Sequence, residues 1–382
     1  MSAILVIAVQ VCTPLCCTVV HWATTSHGCI NGALCLLLNK NSTEMKRKLL
    51  AIALIMPFSM MCAKKAKFGY SAILVPEEIG MQFEKITDDN DNVADYDGNI
   101  VSRTSNVLVE RKITEIRWWV LSQIAISPDG QQVGYISRHN RKTYIKIKCL
   151  SGGRKSLRLT VSANVYGLSW GLDGKTLCYT EMQKNRPAVC LFDLEQGASV
   201  KKIVSDKVDG LGGVISENGK TVFFHGQDSV SKYAIWSYDM TTGKFAKHIQ
   251  GMTVDFAIGS YSEAYCARLN DKNESSIWRI NLETGEETQV LAEQGKSFTT
   301  PNLSPDGKWL IVTGNSAFGK EGIANTDIYA LRTDGSRLTQ LTYHPGNDLS
   351  PIWSPDGGYI YFLSQRGSSD GVYNIWKMNF PL

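Results

Sequence analysis

A short turn, written as an apolar or aromatic residue followed by Ser-Pro-Asp-Gly, returns along this chain and constrains its fold more than any other feature. It stands as Ile126-Ser127-Pro128-Asp129-Gly130 and again as Trp170-Gly171-Leu172-Asp173-Gly174. It recurs as Ile215-Ser216-Glu217-Asn218-Gly219, Leu303-Ser304-Pro305-Asp306-Gly307 and Trp353-Ser354-Pro355-Asp356-Gly357. The closing glycines lie 44, 45, 88 and 50 residues apart. The gap of 88 is two repeats, so one unit without the signature is hidden in it. Val254 to Ala267 fills that place, with Gly259-Ser260-Tyr261-Ser262 as a degenerate turn. The chemistry of the turn is legible. Pro presets φ for a type I turn, Ser and Asp bond the nearby backbone, and Gly takes the left-handed position that closes a hairpin.

β-type runs flank each turn, such as Ile124 to Ser127 before the first and Tyr359-Ile360-Tyr361-Phe362 after the last. A third run follows: Ile235-Trp236-Ser237-Tyr238-Asp239, Ile277-Trp278-Arg279-Ile280-Asn281, Ile328-Tyr329-Ala330-Leu331 and Ile375-Trp376-Lys377-Met378-Asn379. A second polar turn then leads to a fourth run, as at Ser156–Thr160, Glu287–Leu291 and Arg337–Thr342. Four antiparallel strands in a repeat of this length is the pattern of a propeller blade. The expectation is all-β: a six-bladed β-propeller over residues 119–382, with Trp170, Trp236, Trp278, Trp309, Trp353 and Trp376 packing blade on blade. The last unit has three runs and lacks a fourth. An open edge there would leave backbone groups unpaired, so an N-terminal strand should close the last blade. Phe83-Glu84-Lys85-Ile86-Thr87 fits best, and Val107–Ile113 is second.

The formal net charge is +4, and the first 62 residues supply +3 of it through Lys40, Lys46, Arg47 and Lys48 against Glu44. The remainder sums to +1, a balance that argues against nucleic acid as a partner. Of ten cysteines, only Cys149, Cys178, Cys190 and Cys266 lie in the repeats, and no pair has the C-x-x-C spacing of a zinc or redox site. Cys178 and Cys190 fall on strands of one blade, where a disulfide is geometrically open to them. Buried free thiols are the simpler expectation.

The region before the repeats divides in three. Residues 45–62 read as a signal peptide: Met45-Lys46-Arg47-Lys48 is a charged start, Leu49 to Met61 is a 13-residue apolar run, and Cys62 follows. A cysteine in that place resembles a bacterial lipoprotein signal, with Cys62 as the lipidated residue. Residues 1–44 precede a complete signal and read as an extension of the gene model. Residues 63–118 form an N-terminal segment that holds the closing strand. Within it, Asp88-Asp89-Asn90-Asp91-Asn92 with Asp95, Asp97 and Gly98 is acidic but not a calcium loop. Counting back from Gly98 places Val93 at the first ligand position and Thr104 at the twelfth. A flexible acidic loop is expected there.

The Ser-Pro-Asp-Gly turns, the Ile-Trp third strands and Leu338-Thr339-Gln340-Leu341-Thr342 together resemble the repeats of the TolB-type propeller, most strongly in Pro301–Lys377. In that family TolB is a periplasmic component of the Tol–Pal envelope system and works by binding other proteins. It carries an α/β domain before its propeller, whereas residues 63–118 here show no βα alternation. The resemblance therefore implies an exported, scaffold-like propeller, periplasmic or on the outer membrane, that touches the membrane only through a lipid anchor. Its partner would be a protein or a cell-envelope ligand, with no cofactor.

Chemistry is sparse. Related repeats gate the hydrolase domain of prolyl-oligopeptidase-type peptidases, but no G-x-S-x-G elbow occurs, and Gly314-Asn315-Ser316-Ala317-Phe318 fails at its last position. Loops joining second and third strands share a face with the blade-to-blade connections. Long loops on a rigid scaffold are where binding resides, so the ligand-binding candidates are Arg138, His139, Arg141, His225, His344, Asp348 and Arg366. Some six-bladed lyases of pectate fragments with related repeats hold a metal with histidines on such a face. His139, His225 and His344 are the alternative metal set, and a metal-dependent carbohydrate-active enzyme is the alternative function.

Overall fold

The computed structural model describes the backbone of residues 5–12, 17–24 and 32–37, residues 76–91 and 93, and residues 124–382. The last stretch is interrupted at 140–141, 153–156, 161–164, 184–185, 204, 206, 230–233, 250–252, 261, 271–273, 317–324 and 369–371. The chain divides into two units, residues 1–66 and 67–382. In the first, Leu5–Cys12, Cys17–Thr24 and Gly32–Leu37 form an antiparallel sheet in sequence order. The signal-like stretch 45–62 with Cys62, and the second-choice closing strand 107–113, lie outside the described residues.

The second unit is a six-bladed propeller, each blade a four-stranded antiparallel sheet. Blade one runs from Ile124–Ile126 to Leu157–Thr160, blade two from Val165–Trp170 to Ala198–Ile203, and blade three from Asp209–Ile215 to Phe245–Lys247. Blade four, the unit without the signature, runs from Thr253–Ser260 to Glu287–Leu291. Blade five runs from Lys296–Leu303 to Thr339–Gln340. Blade six takes Asp348–Trp353, Tyr359–Ser364 and Asn374–Asn379 from the C-terminus, and its fourth strand is Phe83–Lys85. Lys85, Glu84 and Phe83 pair with Trp376, Lys377 and Met378. Closure by this N-terminal strand is as the repeat count requires.

The turns behave as their residues dictate. In blade one the Ser127 hydroxyl donates to Asp129 Oδ1 (2.5 Å) and accepts from the Gln132 amide (2.9 Å), while Gly130 sits at φ 69°. Ser304–Asp306 and Ser354–Asp356 repeat the arrangement, and Ser216–Asn218 does so with an amide. Blade two has Gly171 in place of Ser, and Thr176 Oγ1 bonds Asp173 instead (2.6 Å).

Apolar side chains gather into six buried clusters, one at each junction between neighbouring blades. Three of the named tryptophans, Trp309, Trp353 and Trp376, are buried within one such cluster. The thiols of Cys178, Cys190 and Cys266 are buried and free. Cys178 pairs across the sheet with Leu191 and Cys190 with Tyr179, so the two sulfurs emerge on opposite faces of the blade and cannot bridge.

The fourth strand of blade five is shorter than expected, only Thr339–Gln340. Arg337 takes a left-handed φ of 58°, and Thr342 turns inward to donate to Asp327. Both ends of the expected Arg337–Thr342 strand are thereby diverted.

Candidate functional site

The face opposite the Ser-Pro-Asp-Gly turns carries the loops between second and third strands and the connections between blades. At the junction of blades five and six, these segments hold an inward charge network. Arg366, just past the second strand of blade six, is fully buried. Its Nη2 donates to Glu78 Oε1 (3.0 Å) and Asp348 Oδ2 (2.6 Å), its Nη1 to Glu78 Oε2 (3.3 Å), and its Nε to Ser364 Oγ (3.1 Å). Its guanidinium also lies 4.2 Å from the ring centroid of Phe83 in the closing strand. Glu78 Oε1 accepts a further bond from the Tyr343 amide (2.9 Å).

Asp327, on the third strand of blade five, adds a third carboxyl. It accepts from Gln340 Nε2 (3.2 Å) and Thr342 Oγ1 (3.4 Å). Burial, with the nearby Asp348 charge as the second cause, pushes its pKa up to about 8. Burial raises Asp348 as well, against the pull of Arg366. With three carboxyls near one guanidinium, the upward shifts fall on Asp327 and Asp348, and Asp327 is the group that keeps its proton near neutral pH.

The remaining candidates separate. Arg141 lies outside the described residues, as do the side chains of Arg138 and His139; the His139 backbone ends the second strand of blade one, opposite Lys142. His225 is buried in blade three with its ring edge-on to Phe256 of blade four, 4.6 Å between centroids, and burial alone pushes its pKa down to about 3. His344 is buried between blades five and six, where its Nδ1 accepts from the Gly346 amide (3.0 Å). His225 and His344 thus belong to junctions well separated around the ring. Among the described residues, no three His, Cys, Asp or Glu side chains gather as metal ligands would. Four of the seven candidates, His225, His344, Asp348 and Arg366, are buried side chains engaged within the protein.

The sequence reading missed Glu78 and Asp327. Asp327 carried a signal, being the one charge in the inward-facing run Thr326–Leu331. Glu78 carried none, because its partner lies 288 residues away.

The N-terminal segment continues from blade six to blade one. Thr87 Oγ1 donates to Asn374 Oδ1 (3.1 Å) and accepts from the Ile375 amide (2.8 Å), and Asn374 Nδ2 donates to Asp89 (2.7 Å). Asp91 then accepts from the Tyr135 hydroxyl (2.9 Å) and Lys148 Nζ (3.3 Å), and its carbonyl accepts from Ser137 and Lys146. Val93 bridges to Ser137. The first half of the acidic stretch, expected to be flexible, is an anchored strap. The carboxylates of Asp89 and Asp91 are taken up by blades six and one.

Residues 252–380 match the family described as the TolB beta propeller domain. Blades four, five and six are thus similar to the TolB-type propeller. The Tol-Pal system protein TolB of Francisella tularensis is 32% identical over 90 residues, which is 24% of this chain and 19% of that protein. An uncharacterized peptidase of Bacillus subtilis, YuxL, is 28% identical over 113 residues, 30% of this chain and 16% of that one. This chain thus matches under one fifth of the length of either curated relative. The crystal structure of TolB from Acinetobacter baumannii superposes with a TM-score of 0.51 at 14% identity, covering 99% of this chain and 80% of that one. At that identity the likeness concerns the fold.

Proposed function

We propose that this protein is an exported, non-catalytic binding propeller that engages a protein or cell-envelope ligand through the face opposite its signature turns. The observation that carries the reading is what the buried network holds in place. Glu78 is clamped by Arg366 and by the Tyr343 amide, and it thereby sets Ile79 and Tyr343 on the surface. Ile79 is 80% exposed and Tyr343 37%, two of the few large apolar side chains that the described surface presents. An exposed aromatic and an exposed aliphatic, whose backbones are tied to one buried network, are the construction of a binding anchor.

In this reading the candidates divide by role. Arg138, His139 and Arg141 are contact residues at the end of blade one. His225, His344, Asp348 and Arg366 are buried supports that shape the rim. The kinship with a protein named for the Tol-Pal system supports a partner in the cell envelope. A signal ending at Cys62 supports export and a lipid anchor.

A pull-down from envelope extract tests the reading. Wild-type protein should retain a partner that the double variant Ile79→Asp/Tyr343→Ala releases, with the thermal transition of the variant unchanged. Mass spectrometry should find Cys62 lipidated and N-terminal. Capture of nothing, together with cleavage of fragments from a polysaccharide panel, would replace this reading with the carbohydrate-active one.

A further inference from the structure

The near-neutral total charge conceals a polarised ring. Residues 124–160, all of blade one, hold four Lys and four Arg against the single Asp129, a net charge of +7. Residues 165–382, the rest of the ring, hold 20 basic and 24 acidic residues, a net of −4. A patch of one sign on a body of the other is an electrostatic address.

The structure shows where part of this charge stands. Lys146 and Lys148 project from the third strand of blade one on the side of Tyr144, and Arg158 projects from the fourth. Lys146 is paired directly across the sheet with Arg158. Two cations in directly opposed positions repel each other and weaken the sheet unless an anion lies between or beside them. On the outer strands of blades two and four, by contrast, Lys202 pairs with Glu181 and Glu287 receives the fork of Arg268. Arg158 is instead held over the Tyr144 ring, 3.5 Å from its centroid, and no carboxylate meets it among the described residues. A stacked guanidinium keeps its donor edge free for a bidentate carboxylate.

Two further features select the kind of anion. Among the described residues the fourth strand, Leu157–Thr160, pairs only with the third, so within them its outer edge has no strand beside it, and its Leu157 is 48% exposed. An edge without a neighbouring strand, beside the Arg158 guanidinium, suits an extended peptide, which adds a strand and sets an acidic side chain on Arg158. The chain itself demonstrates the chemistry, because Asp91 of the N-terminal strap already rests its carboxylate on Lys148 and its carbonyl on Lys146.

We infer that the outer flank of blade one, centred on Arg158 and the edge of Leu157–Thr160, receives an acidic extended segment of a partner protein. The inference deepens the binding reading above and rests on it. It adds a second contact, away from Ile79 and Tyr343, with a defined partner chemistry.

The test uses the full chain and a labelled peptide of alternating Asp and Val. Wild-type protein should bind it with an affinity that falls as salt rises. Arg158→Glu should weaken binding about fivefold to tenfold at low salt, and Arg158→Lys much less. Lys201→Glu, on the outer strand of blade two, is the control and should change nothing. Far-ultraviolet dichroism and melting should report all three variants as folded. Peptide affinity indifferent to Arg158→Glu overturns the inference, as does Arg158-dependent binding of phosphatidylglycerol vesicles by a protein that ignores the peptide. If the peptide is ignored while the envelope partner is still captured through Ile79 and Tyr343, the flank proposal falls and the binding reading stands.

Discussion

Arg366 was legible as a charged residue in a loop and illegible as a buried one. Its burial depends on Glu78, on the closing-strand Phe83 and on Asp348, and only the last is near it in sequence. Removing the guanidinium leaves two carboxylates inside the protein without their counter-charge. Arg366→Leu should therefore destabilise the fold by about 3–5 kcal/mol, read as a shift in urea midpoint at constant slope. Asp327 makes a prediction with a sign. Its folded pKa of about 8 lies far above the ordinary carboxyl value of 3.8, so between about pH 4 and pH 8 the native state holds a proton that the unfolded chain has released. Stability should fall as pH rises through that window and level off above it. One proton sets the limiting slope at about 1.4 kcal/mol per pH unit. Asp348, Glu78 and Arg366 face the same carboxyl, so the Asp327→Asn variant should lose only its own share of the slope. It should be more stable than wild type at pH 8.5 and closer to it at pH 5, which urea titrations at the two pH values would check.

At the scale of the elements, the blades were readable because turn chemistry and alternation are local. Residues that join blades were not. Four residues before the first residue of the turn, Gly167, Gly212, Thr300 and Ser350 all adopt left-handed φ values between 50° and 60°, and each sits where its inner strand slips register. Two of these kinks are pinned by a threonine from a second strand. Thr180 Oγ1 of blade two accepts from the Gly212 amide of blade three (2.8 Å), and Thr313 Oγ1 of blade five accepts from the Ser350 amide of blade six (3.0 Å). Thr313 also bonds Thr300 Oγ1 (2.6 Å), beside a β-branched residue in a conformation such residues rarely take. Thr313→Val keeps the shape and orphans both partners, so it should cost about 1–3 kcal/mol. A glycine makes the complementary case. A Cβ on Gly226 would lie 2.2 Å from Trp236 Cδ1, so Gly226→Ala must displace an indole and should cost about 1–3 kcal/mol in the same measurement.

A ring of blades has no natural end, and at the scale of the molecule the question is how first and last blades are held together. A sequence repeat announces that a missing strand must be supplied, and here it pointed to the right segment, since Phe83–Lys85 completes blade six. It could not announce that the same segment continues onto blade one through Asp91 and Val93, because those contacts have no period and no local pattern. The strap therefore spans the seam on both sides, and loss of its grip should be felt at the seam before the rest of the ring. Phe83 is the point to test. Its ring lies edge-on to Phe362 and beneath the Arg366 guanidinium. Phe83→Ala removes a partly buried aromatic, at a cost of about 2–3 kcal/mol. Native-state hydrogen exchange should then show faster exchange at Ile375, Trp376 and Tyr135, which border the strap. Val222 and Cys266, in the second strands of blades three and four, should keep wild-type protection. Equal loss of protection in all six blades would mean that the ring opens as one cooperative body and that the seam is no weaker than any other junction.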